Sequence, residues 1–157
     1  MMRVVPQSSV TSPAPSAGKI YHETILSVRF CEVDSYQIVW HGNYVNYLEV
    51  GREAFGKKFG ISYQSLIDRG LRAPIIHVEM NYRRSLKYGD RFLVLTEYVE
   101  KPQAKICFSY KLTSLDGKII YCRGKTEQAL QDIDTGRTLP CLPDWHAGWL
   151  AQAKSMI

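Results

Sequence analysis

The chain has no long apolar run. Its longer hydrophobic stretches, such as Phe92-Leu93-Val94-Leu95, are strand-sized. A membrane-crossing helix needs roughly 18 consecutive apolar residues, so stable helical insertion into a membrane is not expected. Cysteine is scarce and scattered: Cys31, Cys107, Cys122 and Cys141 form no CxxC pair and no Cys/His pattern of metal-ligand spacing, and the four histidines add no cluster. No metal is therefore expected, and the thiols read as buried, reduced side chains that behave as small apolar groups. Dense charge is missing too. Lys plus Arg number 20 and Asp plus Glu 15, a net charge of +5 that favours polyanions without choosing among them. Apart from Lys57-Lys58 and Arg83-Arg84 the cations are dispersed. With no aromatic stacking platform among them, nucleic acid is not an expected partner.

What is present is the pattern of one folded domain: 157 residues, 45% of them hydrophobic. Residues 1–20, rich in Pro, Ser and Thr, lack periodicity and read as a flexible tail. They have no apolar core of a secretory signal. Arg3 and Lys19, with no acid before Glu23, leave an organellar transit peptide as the alternative to a cytoplasmic location. Alternation over Thr24 to Phe30 predicts a first strand. Asn43 then suits the N-cap of a helix whose apolar face is Tyr44, Tyr47, Leu48, Gly51, Ala54 and Phe55, ending near Gly56 or Gly60. Ser62 is placed to cap a short second helix through Asp68, stopped by Gly70.

After Gly70 the period becomes that of strands, over 72–84, 90–100, 104–115 and 118–133. Short turns between them, Asp116-Gly117 the clearest, predict an antiparallel meander. The folded domain is expected over 21–140, followed by a tail or short helix over 141–157. The fold class is α+β: about five antiparallel strands wrapped around one long amphipathic helix, the only element able to cover the sheet. The sheet's open edges call for a homodimer or homotetramer.

The chemistry concentrates in Asp34-Ser-Tyr-Gln-Ile-Val-Trp40-His41-Gly-Asn43-Tyr44. By residue type alone, a loop aspartate is an Asx-turn former as readily as a catalyst. A carboxylate just upstream of a helix N-terminus can, however, face a carbonyl whose developing oxyanion the helix N–H groups and dipole stabilise. The run Asp34-x6-His41-x-Asn43-Tyr44-x2-Tyr47-Leu48-Glu49-x2-Arg52 resembles the 4-hydroxybenzoyl-CoA thioesterase family, and especially the short acyl-CoA thioesterases encoded with the Tol–Pal system. The resemblance covers roughly residues 22–134 and is sharp over 29–55.

That resemblance implies the hotdog fold and hydrolysis of an acyl-CoA thioester. Asp34 would be nucleophile or general base, the backbone N–H of His41 would polarise the carbonyl, and Asn43-Tyr44 would open the helix. The His41 imidazole would orient the acyl group, bind the thioester region or give a proton to the leaving thiolate, with local bonding as its alternative role, and Glu32 and Glu49 are competing carboxylates. Glu49 and Arg52, three apart on the helix, are spaced for a structural ion pair. Trp40, Asn43 and Tyr44 are the expected substrate contacts, and Tyr44 fits a packed core equally well. Arg83, Arg84 and Lys87 are expected at the CoA phosphates, with Lys57 and Lys58 as second choices. No cofactor is implied, because CoA is part of the substrate. An acyl carrier protein thioester is the rival substrate, and a non-catalytic acyl-CoA-binding protein is the rival of another class.

Overall fold

The computed structural model describes residues 18–157, so most of the tail expected over 1–20 lies outside the described residues. The last part of that stretch is packed. Ile20 is buried in the core, and the Lys19 ammonium pairs with Glu97 at 2.5 Å. Strand β1 (Tyr21–Ser27) begins three residues earlier than its alternation indicated and leads into a 3-10 turn at Phe30–Glu32. Helix α1 (Asn43–Phe59) follows, then the short α2 (Tyr63–Ile67), whose Ser62 hydroxyl accepts the Ser65 N–H at 3.2 Å as the sequence indicated.

Strands β2 (Leu71–Arg72) and β3 (Ile75–Tyr82) come from the single segment expected over 72–84. Pro74 divides them, because proline cannot donate to a ladder. Then come β4 (Arg91–Val99), β5 (Lys105–Thr113), β6 (Ile120–Ala129) and β7 (Gln131–Asp132), and helix α3 (Trp145–Ser155) ends the domain.

The main sheet is antiparallel with strand order β1-β4-β5-β6-β3, and β2 pairs with β7. The meander expected after the helix therefore holds only for β4, β5 and β6. Strand β3 crosses to the far edge and pairs with β6, in a register matching Val78 with Thr126 and Tyr82 with Cys122. Its connection to β4, residues 83–90, runs across the strands between them, about 14 Å at the usual strand spacing. Eight residues of extended chain reach well beyond that.

Helix α1 lies on the face of this sheet. Tyr44, Tyr47, Leu48, Gly51 and Phe55 are all buried, so the apolar face read from the sequence is the packed one, with Ala54 at its half-buried margin. Phe55 meets Phe108 at 5.0 Å between ring centroids, and Tyr47 meets Phe92 at 4.9 Å. Burying such a ring contributes about 1.5–3 kcal/mol. Two glycines set the approach. A Cβ on Gly51 would lie 2.5 Å from the Thr96 hydroxyl, and one on Gly124 would lie 2.9 Å from a Leu48 methyl. Cys107 and Cys122 are buried, and burial pushes the Cys122 thiol up to about 11. Cys31 and Cys141 depart from the expectation and are exposed.

Candidate active site

Residues 30–43 form a short hairpin between β1 and α1. Val33 bridges Val39, the Asp34 N–H donates to the Ile38 carbonyl at 2.9 Å, and the Trp40 N–H donates to the Glu32 carbonyl at 2.9 Å. Asp34 and His41 thus stand on opposite arms of one hairpin. Asp34 is half-buried, and its Oδ1 accepts the Tyr36 N–H at 2.8 Å, which is the Asx turn that its residue type suggests. Among the described residues Oδ2 has no hydrogen-bond donor. One carboxylate oxygen is therefore tied down and the other is available. Gln37, at the hairpin tip, holds φ at 62°, a conformation that side chains other than glycine seldom adopt.

The helix opens one residue earlier than the Asn43 cap implied. Gly42 is the N-cap, already with helical φ −65° and ψ −26°, and no side chain caps it. Asn43 instead donates through Nδ2 to the Glu32 carbonyl at 2.9 Å, and its Oδ1 accepts Asn46 Nδ2 at 3.2 Å. It ties the helix to the hairpin's first arm. Among the described residues the N–H groups of His41 and Gly42 meet no protein acceptor. Two free donors at the positive end of a 17-residue helix are what a developing oxyanion requires. A side chain on Gly42 would overlap the Trp40 indole, which packs across this opening with about half its surface exposed.

The side chains around these donors are aromatic. The exposed His41 ring lies 5.0 Å from the Trp40 ring and 6.5 Å from that of Tyr82. Tyr82 donates its hydroxyl to the His41 carbonyl at 3.0 Å and packs edge-on against Tyr44 at 5.1 Å. Burial raises its phenol pKa. Sequence reading missed Tyr82, because only the crossing of β3 to the far edge brings residues 41 and 82 together; its place beside Arg83-Arg84 was the available signal. Tyr44 is 3% exposed and its hydroxyl accepts the Leu86 N–H at 3.3 Å. Its side chain holds the 83–90 connection against the helix and is enclosed by protein.

Arg83 and Arg84 follow Tyr82 directly, and both N–H groups donate to the Tyr121 carbonyl, at 2.8 and 3.1 Å. Their side chains and that of Lys87 are exposed, and none has a carboxylate within ion-pair reach among the described residues. Lys57 and Lys58 belong elsewhere. They sit about 21 Å down the helix at its usual rise per residue; Lys57 pairs with Glu53 at 2.6 Å and Lys58 covers the Phe59 ring. The Glu49–Arg52 ion pair allowed by spacing does not form within 4.0 Å. Arg52 lies against Tyr110, where burial raises the phenol pKa and the guanidinium opposes it.

A cavity of about 580 Å³ runs beside the later turns of α1 between Arg52, Leu66, Ile106 and Phe108. None of the residues singled out in the Asp34–His41 hairpin lines it. Among the described residues no three His, Cys, Asp or Glu side chains converge as a metal site.

A five-stranded antiparallel sheet holding one long helix, with a hairpin leading into the helix N-terminus, is the hotdog fold. The family model described as the thioesterase-like superfamily matches residues 28–150, and the chain belongs to that family. A Bacillus subtilis relative, the "Putative acyl-CoA thioesterase YneP", is 26% identical over 127 residues, spanning 79% of this chain and 91% of the relative. An Arabidopsis thaliana relative, an acyl-acyl carrier protein thioesterase of the chloroplast, is 30% identical over 95 residues, 60% of this chain and 50% of its own. The solved DHNA-CoA thioesterase of Staphylococcus aureus superposes with a TM-score of 0.74 at 25% identity, covering 87% of this chain and 92% of that one. No helix of the described residues is long and apolar enough to cross a membrane.

Proposed function

We propose that the chain hydrolyses acyl-CoA thioesters, with Asp34 as the reacting carboxylate and the N–H groups of His41 and Gly42 as the oxyanion hole. The observation that carries this reading is the pairing, on one hairpin, of a carboxylate oxygen without a donor and two backbone donors without an acceptor among the described residues. In the hairpin register Asp34 lies opposite Ile38, so His41 is three positions further along the opposite arm, about 10 Å at the usual strand rise.

In the general-base route Asp34 takes a proton from water as its oxygen bonds to the thioester carbon. The carbonyl electron pair moves to the oxygen held by the two N–H groups, and collapse breaks the C–S bond. The thiolate leaves with the proton from Asp34, so thioester plus water gives free acid plus CoA thiol. In the nucleophilic route the Asp34 oxygen itself bonds to the carbon and expels the thiolate. Water then cleaves the resulting anhydride. Borohydride present during turnover converts Asp34 to homoserine only in the second route. The reading assigns no cofactor. Exposed Arg83, Arg84 and Lys87 would meet the CoA phosphates, and Trp40 with the His41 ring would flank the thioester. Four unpaired cysteines suit a reducing compartment, here the cytoplasm.

The likeness to an acyl carrier protein thioesterase supports a second reading, in which the thioester arrives on a carrier protein. Release of free thiol from a panel of aliphatic, benzoyl and naphthoyl thioesters of CoA, and from the same acyl groups on carrier protein, tests both. Hydrolysis of CoA thioesters alone selects the first reading, and hydrolysis of carrier thioesters alone selects the second. Binding without hydrolysis of any thioester would contradict both and favour a non-catalytic acyl-CoA-binding protein.

Strand β3 supports a homodimer. It is the sheet's outer edge opposite β1, and it exposes Ile76, Val78 and Tyr82 along an unpaired ladder. Edge-to-edge pairing of two copies would cover these residues and bring Tyr82 and the His41 site to the subunit boundary. Sedimentation is expected to show a dimer, or a tetramer built from it; a stable monomer would contradict this.

A further inference from the structure

Glu32 is the most enclosed carboxylate near the site, 3% exposed, and its oxygens are fully engaged. Oε2 accepts the Arg29 N–H at 2.8 Å and the Tyr47 hydroxyl at 2.9 Å. Oε1 accepts Arg29 Nε at 3.0 Å, with the second guanidinium nitrogen also at 3.0 Å. The Glu32 backbone carbonyl accepts Trp40 N–H and Asn43 Nδ2, both at 2.9 Å. Every partner is a donor, the pattern that a carboxylate accepts and a carboxylic acid does not. The single residue thus ties together the end of β1, the second arm of the hairpin, the first residue of α1 and the helix's second turn. Burial and this carboxylate raise the Tyr47 phenol pKa far above its ordinary value, and the guanidinium's own hydrogen bond to Glu32, with the Glu32 charge, raises that of Arg29.

We infer that Glu32 is the positioning residue that sets Asp34 at a fixed distance from the open end of α1, an inference that rests on the catalytic reading of Asp34. The link between the two is short and stiff. Val33, the only residue between them, is extended at φ −89° and ψ 143° and bridges Val39. Any shift of the Glu32 anchor is therefore carried to Asp34. Because the same carboxylate holds Tyr47 and the same carbonyl holds Asn43, the anchor references the hairpin to the helix whose N-terminus supplies the donors. Glu32 cannot compete as the reacting group: it is buried and has no oxygen without a donor.

A carboxylate displaced by about 1 Å loses on the order of 100-fold in rate. Glu32→Gln replaces one acceptor oxygen with an amide that donates, so at least one of Arg29 and Tyr47 loses its partner. The test is a cycle of four enzymes, wild type, Glu32→Gln, Asp34→Asn and the double variant, assayed on the best acyl-CoA of the panel. Each thermal midpoint is checked to lie above the assay temperature. Glu32→Gln is expected to lower kcat on the order of 100-fold with KM changed less than about threefold. In the Asp34→Asn background the same substitution is expected to change the residual rate less than about twofold.

Unchanged kcat in folded Glu32→Gln would overturn the inference. An equal loss in both backgrounds would also overturn it, because Glu32 would then act independently of Asp34. Should Glu32→Gln not fold, the same cycle is run with Arg29→Gln and Tyr47→Phe, which each remove one donor. Losses confined to the Asp34 background support the inference, and neutral behaviour of both overturns it. Full turnover by Asp34→Asn alone would defeat the catalytic reading itself. An inactive Asp34→Asn beside an unaffected Glu32→Gln would defeat only the positioning role.

Discussion

The two ends of helix α1 are finished in opposite ways. At the C-terminal end Gly60 takes the left-handed conformation at φ 72°, and its N–H and that of Ile61 both return to the Gly56 carbonyl. The Phe59 carbonyl accepts the Trp149 indole N–H at 2.7 Å from α3, and Lys57 and Lys58 stand at the dipole's negative end. At the N-terminal end, among the described residues, no side chain caps the helix and two N–H groups have no acceptor, and the residue in the left-handed region is Gln37 rather than glycine. Buried backbone groups are normally paired. The closed end follows that rule as a matter of stability. The open end lies at the surface, and its two N–H groups, on the same hairpin as Asp34, are left to solvent or a substrate.

If the closed end serves stability alone, Trp149→Ala should be costly without touching chemistry. Loss of the buried indole and its bond to Phe59 is expected to destabilise by about 3–5 kcal/mol, read by urea unfolding. kcat/KM per folded molecule should stay at the wild-type value, and a parallel fall in kcat would erase the contrast between the ends. Gly42→Ala probes the other end. Its Cβ displaces the Trp40 indole from the helix opening, so kcat/KM should fall about tenfold, ~1.4 kcal/mol in barrier, with little change in the unfolding midpoint.

Gln37→Gly relieves a left-handed side-chain residue and is expected to add up to about 1 kcal/mol of stability; a loss would show that the Gln37 side chain stabilises the hairpin. The smallest effect concerns pH. Burial holds the α3 residue His146, hydrogen-bonded to Tyr98 at 2.8 Å, below its ordinary value of 6.5, against the nearby Glu100 charge; burial and Lys58 do the same for His22. As pH falls through 6.5 the unfolded chain takes these protons first. Stability present above pH 6.5 is therefore lost below it, and unfolding at pH 7.5 and 5.5 should show this. The slope should be shallower in His146→Gln.

The helix face, the Ser62 cap, the Asp-Gly turn and the Asp34–His41 spacing were legible because each is a local pattern. Periodicity identifies the buried side of α1, and a fixed offset places a carboxylate just before a helix. The rest depends on contacts between distant segments. No local signal tells that β3 skips to the far edge, so Tyr82 was invisible as a neighbour of His41. Asn43 has the chemistry of a cap, but the Glu32 carbonyl claims its amide and Gly42 takes the cap position. Glu32 looked like a misplaced competitor of Asp34 because its role lies in Arg29 and Tyr47, partners that only folding assembles. The exposure of Cys31 has the same origin: the 3-10 turn that buries Glu32 points the preceding residue outward.

Steady-state hydrolysis of the best acyl-CoA by Asp34→Asn, beside the wild type at matched folded concentration, weighs most on this assignment. The amide keeps the turn with Tyr36 but can neither take a proton from water nor attack the carbonyl effectively. The expected result is a fall in kcat on the order of 1000-fold or more, ~4 kcal/mol, with substrate binding retained. Turnover within a few-fold of the wild type would remove Asp34 from the reaction and, with it, the reason for the open end of α1.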